Sequence, residues 1–277
     1  MFTKLGNSWQ VVKASAAVLS ADKELVIFPI LSGVMLVLVS AGFVAPFVVS
    51  ERAQELAQGP AGWGIAFGFY LVSYFVIFFC NSALVGAALI RLRGGDPTVA
   101  DGFRIAFGKA GTILGYAFIA ATVGMILRQL QERAGLLGRL VVGLVGLAWN
   151  LATFLVVPVL VTENVGPVDA VKRSMALFKK TWGEQVIGNF GVGAITGLIA
   201  FLLILTFIPL CFLAVATNST AVIALTVGGF VFALVLLSLV SATLSGIYTA
   251  AVYRFAAEGE VGTTFHADMV QGAFKPK

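Results

Sequence analysis

Between Glu184 and Arg254 the chain carries no charged side chain. That stretch is several times longer than the roughly 20 residues that cross a bilayer as a helix. It offers water no polar face. The rest of the chain follows the same trend. Soluble domains carry about 25% charged residues, whereas this one has 11%, with 59% hydrophobic residues, 23 Phe and a mean hydropathy of +1.00. The expected class is an all-α, polytopic membrane protein forming one domain over residues 1–277. No cleaved secretory signal is expected: Lys13, Lys23 and Glu24 precede the first apolar run, and no A-x-A site follows it.

Apolar runs at 25–49, 61–90, 110–127 and 140–161 are each long enough for one crossing. Residues 50–60 read as a short polar loop and 128–139 as a polar connector. The charge-free region 185–253 and the residues just after it could hold two long helices or three short ones. Its one strong turn signal, Thr217-Asn218-Ser219-Thr220, favours two, at 186–216 and 221–255. Pro209 is expected to kink the first and Gly228-Gly229 to loosen the second.

Three further segments have helical periodicity on one face only. In 167–182 the apolar residues Val168, Val171, Met175, Phe178 and Trp182 recur at steps of three and four, and Lys172, Arg173, Lys179 and Lys180 fall mostly on the other side. A basic amphipathic helix between spans is expected to lie flat in the interface, apolar face down. Fainter copies occupy 5–21, with Leu5, Trp9, Val12, Ala16 and Leu19, and 97–109, with Val99, Phe103, Phe107 and Ala110. Asp96-Pro97 and Gly166-Pro167 suit helix starts. Each amphipathic segment precedes a pair of spans, so the chain reads as three units. VKASAAVL (12–19) aligns with VKRSMALF (171–178) in the first and third.

Six spans put both termini on one side. Of 18 Lys and Arg residues, only Arg52, Arg128, Arg133 and Arg139 fall on the other. Lys and Arg accumulate in cytoplasmic loops, so both termini and the three interfacial helices are expected to be cytoplasmic.

Ser8-Trp9, Asp22-Lys23-Glu24-Leu25, Phe28-Pro29 and Ser32 resemble the opening of a family of uncharacterised prokaryotic multi-pass inner-membrane proteins. Trp149, Pro158-Val159-Leu160-Val161, Glu163, Ala170, Lys172-Arg173-Ser174 and Thr181-Trp182-Gly183 resemble its middle. More distantly, a Pro-ended span followed by Glu and a Lys/Arg-Ser helix is similar to the membrane domain attached to some glycerophosphodiester phosphodiesterases, whose catalytic domain has no counterpart here. The resemblance implies a cell inner membrane location and supplies no site residues.

Catalytic chemistry finds little to stand on. The single His266 and the two apolar-embedded cysteines, Cys80 and Cys211, leave no histidine triad, no HExxH and no CxxC. No cofactor or metal is expected. A net charge of +5 would raise nucleic acid in a soluble domain; here its placement argues for membrane lipids as partners instead, with a second copy of the chain or another membrane protein as further candidates. Lys172, Arg173, Lys179 and Lys180 are the lipid-headgroup candidates, because each cation near an anionic surface contributes about 1 kcal/mol. Asn150, Asn189 and Glu163 are the cavity candidates. An Asn at mid-span depth more often hydrogen-bonds between helices, and Glu163 either caps a boundary or pairs with Lys172 or Arg173. The pairs Gly64/Gly68, Gly111/Gly115 and Gly193/Gly197 read as close helix approaches. The expected function is non-enzymatic: binding or organising lipids through the basic interfacial helices. The alternative is a transporter or channel for a small solute or lipid.

Overall fold

The computed structural model describes residues 2–182 and 191–259, and every regular element among them is helical. Inside hydrocarbon the backbone must satisfy its own hydrogen bonds, and a helix does so within one segment. The order is α1 (Phe2–Ala21), a 3-10 turn (Lys23–Val26), α2 (Ile27–Val49), α3 (Glu51–Gln58), α4 (Ala61–Leu92), α5 (Val99–Gly108) and α6 (Ala110–Arg133). Then come α7 (Leu136–Ala152), α8 (Val156–Thr162), α9 (Pro167–Trp182), α10 (Gly191–Ala216) and α11 (Thr220–Glu258). Six stretches are long and apolar enough to cross a membrane: Lys23–Val49, Ala61–Leu92, Ala110–Arg133, Leu137–Thr162, Ile195–Ala216 and Thr220–Glu258. The chain has the build of a multi-pass membrane protein. Residues 186–190, where the fifth span was expected to begin, lie outside the described residues, as does Asn189.

α4 is the axis. α2, α5, α6, α8 and α11 all pack on it. Its C-terminal half, from Ala83 to Leu89, is buried, and so is the matching half of α11, from Thr243 to Ala256 apart from a few half-exposed positions. The other ends of the helices carry apolar side chains facing outward, among them Val49, Leu137 and Leu225. The core therefore sits at one end of the bundle.

Small residues make that packing possible. Gly86 lies under Ile105, Gly246 under Leu84, and a Cβ on Gly102 would sit 2.5 Å from the Phe28 ring and 2.7 Å from the Ala83 carbonyl oxygen. These are not the expected glycine pairs. Of those, only Gly115 makes a close approach: a Cβ there would lie 2.8 Å from the Pro167 ring. Gly68 is in ordinary contact with Phe43, and Gly64, Gly111, Gly193 and Gly197 have no described neighbour within 4 Å.

Ion pairs close the packed end. Arg91 Nε lies 3.0 Å from the buried carboxylate of Asp22 and its Nη1 3.2 Å from Asp96. Glu258 receives Arg93 at 2.5 Å and Arg254 at 3.1 Å, while Arg254 also donates to the Leu92 carbonyl. The start of the first span and the ends of the second and sixth thus meet, as an even number of crossings requires.

Four local readings need correction. Residues 51–58 form a helix rather than a loop; Ser50 caps it, its hydroxyl accepting from the Ala53 N–H. α6 runs on through residues 128–133, which are good helix formers tied by an Arg128–Glu132 pair at 2.8 Å. The fourth span breaks at residues 153–155, because Pro158 has no N–H for the Phe154 carbonyl. Ser174 on α9 accepts the Leu155 N–H at 3.0 Å there. Gly228-Gly229 lies inside an unbroken α11. The expected turn does fall at Asn218, whose φ of 51° suits an Asn.

Candidate functional site

The three amphipathic segments are all helices. Each presses part of its apolar arc onto the bundle, small residues among it, and leaves other bulky apolar side chains turned away. α1 buries Ala14, Ser15 and Val18 and leaves Trp9 50% exposed. α5 buries Gly102 and Ala106 and leaves Phe107 69% exposed. α9 buries Ala170, Ser174, Leu177 and Phe178, with Val168 54% and Met175 52% exposed. The sequence periodicity marks the whole apolar arc; it does not say which half neighbouring helices cover. On α9 the uncovered half is bordered on one side by Lys172 and Lys179, two turns apart at the helical spacing.

The alignment of 12–19 with 171–178 reappears in the burial pattern. Ser15 and Ser174 are both fully buried, as are Val18 and Leu177. Lys13 and Lys172, Ala16 and Met175, Ala17 and Ala176 are all exposed. The sharp difference is Ala14, buried, against Arg173, exposed.

Arg173 has its own task. Its Nε lies 3.2 Å from both carboxylate oxygens of Glu163. The Tyr253 hydroxyl donates to Glu163 Oε1 at 3.1 Å and accepts from Thr162 Oγ1 at 2.8 Å. Lys109 reaches over from the α5–α6 junction, donating to the Glu163 carbonyl at 3.2 Å and to Asn164 Oδ1 at 2.6 Å. Glu163 is therefore the hub that ties α8, α9 and α11, and it lines neither of the cavities described below. Lys172 pairs with Asp169 at 3.2 Å on its own helix; Lys179 and Lys180 are exposed cations. Arg104 on α5 is likewise exposed and pairs with Asp101 at 2.9 Å.

Two carboxylates at this end have displaced titrations of opposite sign. Burial pushes Asp22 above the usual carboxylate range, and Arg91 only partly offsets it. The Thr98 hydroxyl and backbone N–H hold Asp101 below that range, in a capping box that starts α5.

Two cavities flank α4. One, of about 410 Å³, lies between α4, α6 and the α7–α8 break, and Asn81, Tyr74, Tyr116, Trp149, Asn150 and Thr153 supply its polar lining. The other, of about 440 Å³, lies between α2, α4 and α11 and includes Ser32, Cys80, Asn81, Ser245 and Thr249. Asn81 borders both. Asn150 thus lines a cavity, together with Asn81 and two tyrosines that no helix periodicity singles out. Among the described residues no three His, Cys, Asp or Glu side chains converge as a metal site would need.

A model of a family of unknown function, DUF6159, matches residues 60–264. That interval holds α4 through α11, the cavity beside the α7–α8 break and the basic helix, and omits α1, α2 and the α2 wall of the other cavity. No curated protein and no solved structure matches the chain. With most of its length matched, the chain belongs to the family of unknown function DUF6159.

Proposed function

We propose that this is a non-enzymatic protein of a prokaryotic inner membrane that binds and organises lipids through basic interfacial helices on its cytoplasmic face. The observation that carries the reading is the outward stripe of α9: Val168 and Met175, turned away from the protein, with Lys172 and Lys179 along one flank. A helix that shows water its lysines and hides its apolar face in the protein would need no such stripe. One that sits at the boundary of headgroups and acyl chains gains from both halves. Trp9 on α1 and Phe107 on α5 repeat the outward placement, and aromatic residues favour that boundary. The excess of Lys and Arg at the packed end supports a cytoplasmic face.

The test is lipid retention. Lys172, Lys179 and Lys180 are changed together to Glu, while Arg173 is kept because Glu163 depends on it. Native mass spectrometry of protein extracted from mixed-lipid membranes should lose its anionic-lipid enrichment. Retention equal to the parent protein rejects the proposal.

A second reading, a transporter of a small solute or lipid, draws on the two polar cavities that share Asn81. Solute-dependent flux in proteoliposomes, abolished by Asn81→Leu, would favour it.

A further inference from the structure

We infer that the cavity between α4, α6 and the α7–α8 break binds an uncharged lipid whose head carries hydroxyl or carbonyl oxygens. Asn150 lines this space opposite Asn81, whose Oδ1 is turned toward Gly246 of α11, and neither side-chain amide hydrogen-bonds to another described residue. Both positions lie within helices that cross the membrane. An amide in hydrocarbon without a partner costs several kcal/mol on an alkane reference, so an occupant that supplies donors and acceptors is favoured there. Tyr74 on the α4 wall and Trp149 on the α7 wall add further unshared polar atoms.

Charge decides the class. No Asp, Glu, Lys or Arg lines the cavity. An anionic or cationic head would be desolvated with nothing to pair it, which is far costlier than burying a neutral one. The volume, about 410 Å³, falls within the range of about 300–1,000 Å³ typical of small-molecule sites. Tyr74 and Phe78 stack along α4 and Phe78 meets Tyr116 with 4.6 Å between centroids, so one side is an aromatic wall. Leu127, Phe154 and Val157 complete the lining with apolar surface for the first carbons of a tail. The site is distinct from the basic stripe of α9 and does not depend on it.

The head could be a glycerol or an oxygen-bearing ring, and the experiment separates them. Trp9, Trp63 and Trp182 are replaced by Phe in the full chain, leaving Trp149 as the reporter. In nanodiscs, dioctanoylglycerol and decylubiquinone are titrated separately, with dioctanoyl phosphatidylglycerol as the charged comparison. Saturable change in Trp149 emission with at least one neutral probe, and a one-to-one adduct by native mass spectrometry, is expected. Whichever saturates identifies the head. Asn150→Leu should weaken that binding at least tenfold, and Arg52→Gln, exposed on α3, should leave it unchanged. Thr153→Val, a smaller change in the same wall, serves should the Leu variant not fold. Three results would each overturn the inference: no saturation by either neutral probe, equal binding of the charged lipid, or affinity unchanged by the cavity variants.

Discussion

At the scale of single residues, the same helix holds two glycines with opposite consequences. Glycine lowers helix propensity by about 1 kcal/mol relative to alanine, so propensity alone predicts that replacing either Gly102 or Gly108 should help α5. Packing reverses this at Gly102, where a methyl group would meet the Phe28 ring and the Ala83 carbonyl, and neither backbone oxygen nor buried ring can retreat cheaply. Gly102→Ala should therefore destabilise the protein by about 1–3 kcal/mol. Gly108→Ala, with open space around it, should be neutral or stabilising by up to about 1 kcal/mol. Thermal unfolding in one detergent, scored as the difference between the two variants, checks the sign. The glutamate hub gives a second contrast. Glu163→Gln keeps the shape but removes the charge that Arg173 needs, so it should cost about 1–3 kcal/mol. Lys172→Gln, which loses only an exposed pair, should cost less than about 1 kcal/mol.

Among the elements, α5 carries a pH dependence whose sign is fixed by its cap. Asp101 titrates lower in the folded protein than its ordinary value of 3.8, mainly because the Thr98 hydroxyl and N–H donate to its ionised form. A depressed folded value means that the contribution is complete above the unfolded value and fades as pH falls through the folded one. The stability gap between the parent protein and Asp101→Asn should hold constant above about pH 5 and close below 3.8. A gap that widened on acidification would contradict the cap assignment. The elements also show how far sequence carries. Span count, the turn at Asn218 and the existence of three amphipathic helices follow from hydropathy, a turn signal and periodicity, all local properties. Which arc of α1, α5 or α9 is covered depends on small residues such as Ala14, Gly102 and Ala170 meeting partners far along the chain. The cavity was half legible for the same reason: Asn81 and Asn150 stand out as polar residues in apolar runs, whereas Tyr74 and Tyr116 join them only once α4 and α6 are side by side.

For the whole molecule, the concentration of packing at one end gives the bundle a firm base and a looser opposite rim. Arg91, Arg93, Arg254, Asp22 and Glu258 bind three span ends together at that base. At the rim the connections are α3, residues 134–135 and residues 217–219, and the side chains beside them face outward. Stability should follow: amides of α4 from Ala83 to Leu89 and of α11 from Ile247 to Tyr253 should exchange most slowly, and those of α3 fastest. The same two ends must lie on opposite sides of a membrane. Single cysteines placed at Gly94 or Asn164 on the base, and at Gln58 or Asn218 on the rim, in a background with Cys80 and Cys211 replaced by Ala, make this measurable. Base positions should react with an impermeant maleimide only in inverted vesicles, and rim positions in intact cells. Labelling of Gly94 and Asn164 from opposite sides would break the even count of crossings. Labelling of both from outside would keep the bundle but reverse it, placing the lysines of α9 against the wrong leaflet.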